Sequence, residues 1–207
     1  MIKLIAALLL SGITYTATAQ TNLEQYLRQH QLKAQGQSGG VAVQTSQGDP
    51  EKQADAFSRI YATFCLKHIN ELEKLRQRMT TAPQVPKEKA VNFLQGYEGE
   101  AWVVPEQSGQ FVIALPKEQN LCFVYGFRAG QESVEKRFAA MANAASGSMT
   151  VKKVKDDKKK MPFGILHTTS YEWTVPGSPK KTTLKLSTTD ADDAPMQAYA
   201  SAALETP

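Results

Sequence analysis

Residues Gly36-Gln37-Ser38-Gly39-Gly40 satisfy the spacing G-x-S-x-G, which in hydrolases presents a nucleophilic serine. The chemistry needs a strand that delivers the serine onto a sharp turn before a helix. Here polar Lys33-Ala34-Gln35 precedes the motif and no helix pattern comes after it, so the expectation is a Gly/Ser linker. Ser133-Val134-Glu135-Lys136 satisfies S-x-x-K, in which a lysine one helical turn away can activate a serine. The partner motifs S-D-N and K-T-G are missing, which leaves a serine in the first turn of a surface helix.

The histidines are His30, His68 and His167, and none belongs to H-E-x-x-H or to a Cys/His ligand cluster. His68 falls within an apolar helical stripe three residues after Cys65, so a Cys–His pair on one helix face is conceivable. That pair needs a free thiolate, and an oxidising compartment removes it. Glu98, Glu100, Asp190, Asp192 and Asp193 are scattered carboxylates without the pairing that general acid–base chemistry requires. No catalytic set, metal site or cofactor motif emerges. The densest charge lies at Lys152-Lys153-Val154-Lys155-Asp156-Asp157-Lys158-Lys159-Lys160. Its plain reading is a solvated hairpin. It is also the best binding surface the chain offers, built from Lys152, Lys153, Lys155, Lys158, Lys159 and Lys160, for an acidic protein patch, anionic lipid or cell-wall polymer.

The compartment is read from the first residues, MIKLIAALLLSGITYTATAQ. Lys3 supplies a positive n-region, residues 4–10 a short apolar core, and Ala17-Thr18-Ala19 a small-residue cleavage signal. An apolar run this short cannot cross a bilayer core, which needs about 20 helical residues. The expectation is a signal peptide over residues 1–19 and export to the periplasm or the medium. No later segment is apolar enough to span a membrane. The formal net charge is +4, one unit of it from Lys3, which is too mild to point to nucleic acid. In an exported chain the two cysteines, Cys65 and Cys122, are read first as a disulfide. Closing that loop constrains the unfolded chain by about 4 kcal/mol in chain-entropy terms.

Periodicity supplies the scaffold on which these residues sit. Residues 20–53 form a polar arm and linker: 21–33 carries a marginal helix, and 34–52 is too rich in Gly, Gln and Ser to bury apolar surface. A single domain is expected over 54–207. Phe57, Ile60, Tyr61, Phe64, His68, Leu72, Leu75 and Met79 recur at spacings of three and four, which predicts one amphipathic helix over 54–79. A short helix over 87–95 ends at Gly96. From Glu100 the period becomes that of strands: 101–105, 110–115 and the continuous apolar run 121–127. A helix over 131–145 precedes strands at 149–155, 165–175 and 182–188, and a short helix or tail closes the chain. The expected fold is α+β: an antiparallel sheet of about six strands, helices on one face, and one helix-to-strand disulfide.

Phe64-Cys65 in a helix, Ala101-Trp102 opening a strand and Gly109-Gln110-Phe111-Val112 in the next are followed by Cys122-Phe123-Val124 and by Glu135-Lys136-Arg137-Phe138 in a helix. This pattern, over about residues 54–141, resembles a loose group of small uncharacterised exported proteins of Gram-negative bacteria. The resemblance implies an exported domain with a helix-to-strand disulfide and carries no activity with it. The functional expectation is therefore a non-enzymatic periplasmic or secreted binding protein: an inhibitor, an immunity protein or an envelope-accessory factor, whose partner is a protein or an envelope component. The alternative is a hydrolase of unrecognised type using His68 or Ser38.

Overall fold

The computed structural model of the chain describes residues 49–145, 147–191, 194 and 196–206. The expected signal peptide, His30, the Ser38 motif and Asp192 and Asp193 lie outside them. Helix α1 (Pro50–Ile60) runs directly into a π-helical stretch (Tyr61–Leu66), and α2 (Leu72–Met79) comes next. A short α3 (Lys87–Ala90) continues as a 3-10 turn (Val91–Phe93) and leads into β1 (Gly99–Val104), β2 (Gln110–Pro116) and β3 (Leu121–Phe127). Helix α4 (Gln131–Asn143) connects these strands to β4 (Thr150–Met161), β5 (Gly164–Thr174), β6 (Lys181–Thr188) and β7 (Ala198–Glu205).

Helix α1 starts four residues earlier than the periodicity places it. Asp49 is its N-cap, accepting from the Glu51 amide at 3.0 Å, and Pro50 occupies the first turn. An Asp-Pro pair that looks like a turn is equally a cap followed by a residue whose φ is already helical. The single helix expected over 54–79 is two. After the π stretch the backbone leaves helical geometry, with Glu71 at φ −146°, and re-enters at Leu72. The apolar stripe runs on across this break, so periodicity alone does not register it. A π turn holds more residues than an α turn and so shifts the phase of the turns beyond it. Cys65, at the margin of the α-helical stripe, is thereby buried completely against the sheet.

All strand pairs are antiparallel, in the order β1-β2-β3-β7-β6-β5-β4. The described residues form seven strands rather than about six. The added one, β7, reads Ala-Tyr-Ala-Ser-Ala-Ala-Leu-Glu, a composition with high intrinsic helix propensity. It is held extended by ladders on both sides, to β3 and to β6, and pairing with two neighbours overrides propensity. Small side chains at Ala198, Ala200 and Ala202 face the helices. Tyr61 is fully buried there, and its hydroxyl donates to the Ser201 carbonyl at 2.8 Å.

The helices cover both faces of the sheet, not one. On the first face α1, the π stretch, α2 and α4 pack on Trp102, Val104, Phe111, Ile113, Leu115, Cys122, Val124, Leu184 and Leu186. On the second, Val85, Ala90, Phe93 and Leu94 close over Ala101, Val103, Val112, Ala114, Phe123, Tyr125 and Phe127. The Tyr125 hydroxyl donates to the Phe93 carbonyl at 2.8 Å and so fixes the 3-10 turn to β3. Physically, β1 to β3 are apolar at nearly every position instead of alternating, and such strands need cover on both sides. The disulfide forms as expected: Cys65 and Cys122 are bonded across 57 residues, with Cα atoms 5.4 Å apart. Among the described residues no helix is long and apolar enough to cross a membrane.

Candidate interaction surface

The two edges of the sheet are treated differently. Beside β1 runs the segment Pro83-Gln84-Val85. The Val103 amide donates to the Pro83 carbonyl at 2.9 Å, and the Val85 amide donates to the Ala101 carbonyl at 2.8 Å. The opposite edge is β4, the longest strand at 12 residues, exposed from Lys152 to Lys160 and bridged on its outer side by no described strand. The lysine cluster expected on a hairpin lies along this edge, and β4 runs six residues further than the sequence indicated. Lysine's low strand propensity hid that extension, and the ladder to β5 provides it.

The register sorts the charges into two rows. Side chains directly opposite one another across an antiparallel pair share a face. Lys153, Asp156, Lys158 and Lys160 pair with Tyr171, Thr169, His167 and Ile165 and lie on the α4 side. Lys152, Lys155, Asp157 and Lys159 pair with Glu172, Ser170, Thr168 and Leu166 and lie on the other. A register shift between Lys153 and Lys155 places a bulge at Val154, which is 42% exposed. Beyond it the pairing is regular from Lys155 to Met161. Since β6 reaches only to His167 on β5, the hairpin tip overhangs the sheet as a two-stranded ribbon.

Two of the six lysines are neutralised locally. Lys153 donates to the Asp156 carboxylate, and Lys155 lies 3.8 Å from Asp157. Lys152, Lys158, Lys159 and Lys160 have no ion-pair partner among the described residues. The strand therefore presents uncompensated positive charge on both faces, concentrated towards the tip.

Asp156 is also the outer member of a cluster the sequence did not reveal. His167 Nε2 lies 2.7 Å from Asp156 Oδ1, and its Nδ1 lies 2.9 Å from Glu135 Oε1 on α4. Glu135 further accepts from the Thr188 hydroxyl and from Gln131 at 2.9 Å. Contact with Asp156 pushes the His167 pKa above the usual imidazole value against the opposing effect of partial burial, and Glu135 adds to the rise. His167 and then Lys153 bring Asp156 down to about 2. Burial raises Glu135, but the hydrogen bonds from Thr188, Gln131 and His167 outweigh it and leave its pKa lowered. Both ring nitrogens are committed to carboxylates, so the cluster ties α4, β5 and the edge strand together. Its members are 11 and 32 residues apart in sequence, a separation no local pattern signals.

The remaining sequence candidates are dispersed. Ser133 donates to the Glu51 carboxylate, which joins α4 to α1 and engages the hydroxyl with an acid rather than with Lys136. His68 is buried at the break between α1 and α2, with Nε2 3.4 Å from an Arg78 nitrogen. Its burial, then Arg78 and Lys67, lower its pKa. Cys65 beside it is in the disulfide, so that face holds no thiolate. Glu100 binds Arg76, which also donates to the carbonyls of Leu115 at 3.3 Å and Pro116 at 3.1 Å and so clamps α2 onto β2. Asp190 is exposed. Compared with known proteins, the chain matches no family model, and no curated protein sequence matches it.

Proposed function

We propose that the protein is a non-enzymatic binding protein of the periplasm or extracellular space, acting as an inhibitor, an immunity protein or an envelope-accessory factor. It engages an acidic partner through the basic β4 edge. The observation that carries this reading is the set of four exposed lysines, Lys152, Lys158, Lys159 and Lys160, without ion-pair partners among the described residues, on an edge of the sheet that no described strand covers. Unpaired like charge held at close spacing raises the local concentration of an oppositely charged partner and steers its approach. The Cys65–Cys122 bond supports an oxidising address, as does the N-terminal signal pattern.

Reversing Lys152, Lys153, Lys158 and Lys159 to Glu should leave the fold intact, because exposed charges contribute little stability. The variant should lose a stoichiometric acidic partner that the unaltered chain captures from envelope extract, and the original complex should weaken as salt rises. Equal capture by both chains removes this surface from consideration. The address is tested separately: the chain recovered from periplasm or medium should begin at Gln20, and full-length chain in the cytosol overturns the compartment.

A further inference from the structure

We propose that β4 receives an acidic, extended polypeptide segment as an eighth strand, seated along its regular stretch from Lys155 to Met161; this rests on the reading of β4 as the binding edge. An exposed edge presents a row of backbone N–H and C=O groups, and a strand that adds there satisfies them. The β1 edge is already engaged by Pro83-Gln84-Val85, so among the described residues β4 is the edge with room. The bulge at Val154 interrupts the ladder on one side, which confines regular pairing to the seven residues beyond it.

Charge selects the occupant. A second copy of this chain would set six lysines and two aspartates against the same set, and like charges across a ladder destabilise it. The edge thus resists self-association while remaining open to a segment of opposite sign. A flat anionic surface such as a lipid bilayer reaches only one face of a ribbon. The lysines stand on both: Lys158 and Lys160 towards α4, Lys155 and Lys159 away from it. An added strand alternates its own side chains between the same two faces, so acidic residues at neighbouring positions meet both rows. The fitting partner is a segment with consecutive acidic residues in extended conformation, either a strand edge or an unstructured stretch that orders on binding.

The test uses the full chain, isotopically labelled, and a synthetic acidic peptide of about ten residues, Glu interspersed with Thr and Val, the length of a long strand. A twin of the same charge carries N-methyl groups on alternate backbone amides. Saturable binding of the first peptide should slow hydrogen exchange of alternate amides between Lys155 and Met161. The twin methylated on the pairing amides should bind about tenfold or more weakly, having lost its donors. Lys158→Glu with Lys159→Glu should cost more affinity than Lys152→Glu with Lys153→Glu, which lie at or before the bulge. Equal binding of both peptides without exchange protection overturns strand addition and leaves charge-driven binding standing. Lysine-dependent binding of phosphatidylglycerol vesicles in place of the peptide overturns the choice of a polypeptide. Failure of both probes to bind in a lysine-dependent way overturns the binding edge itself.

Discussion

His167 on β5 stands 2.7 Å from Asp156 on the edge strand, while its other ring nitrogen is held by Glu135 of α4. One imidazole therefore links the β4 edge to the helix beneath the sheet, and it does so best when protonated and donating from both nitrogens. Because its folded pKa is raised, its contribution is fully present below the unfolded value near 6.5 and is lost as pH rises through the folded value. Asp156 and Glu135 are lowered, so their contribution is present above about pH 4 and fades as pH falls through their folded values. The cluster is strongest between about pH 4 and 6.5. Thermal unfolding of His167→Gln should show a deficit of about 2–4 °C near the middle of that window, shrinking well above neutrality. A deficit that grows with pH contradicts the assignment.

The disulfide is the second point of test. Cys65 and Cys122 are bonded to each other, so thiol titration of the chain unfolded without reductant should find no free cysteine. Cys65→Ser with Cys122→Ser should destabilise by about 2–4 kcal/mol, through release of the 57-residue loop in the unfolded state. Denaturant unfolding with and without reductant measures it. Coincident midpoints would mean that the loop is already restrained without the bond.

Asp49 provides a third. Asp49→Ala removes the acceptor for the Glu51 amide and should cost about 1 kcal/mol, whereas Asp49→Asn or Asp49→Ser should recover most of it. Denaturant midpoints of the three variants decide it. Equal loss in all three would mean that the side chain acts other than as a cap.

How far the sequence disclosed this fold depends on the range over which each signal acts. Strand β3 coincides with the apolar run from Leu121 to Phe127, and α4 lies within the helix expected over 131–145 from Val134, Phe138 and Met141. The cysteine pair was legible because a chain with two cysteines leaves one intramolecular pairing. Three features were hidden by opposed local preferences. Asp49-Pro50 is a turn-like pair that starts a helix, Lys158-Lys159-Lys160 is a lysine run drawn into a strand, and the alanines of β7 favour helix yet lie between two ladders. The cover from Phe93 and Leu94 was foreshadowed by the two-sided apolarity of β1 to β3, which one-faced packing leaves unexplained. The lysines of the β4 edge were visible as composition. Their division into two rows, the bulge at Val154 and the His167 cluster required the register.

The position of β7 governs how the chain completes itself. Strands β1 to β3 and strands β4 to β6 each form between sequence neighbours, but among the described residues the two groups are joined within the sheet only by β7. Both cysteines belong to the earlier part, so their covalent loop can close while the seam between the groups is still open. Until β7 arrives, β3 and β6 present long bare edges with apolar side chains beside them, a state prone to mispairing. Vectorial synthesis thus leaves the sheet unsealed until residue 205 has emerged, since β7 is the strand that joins the two groups.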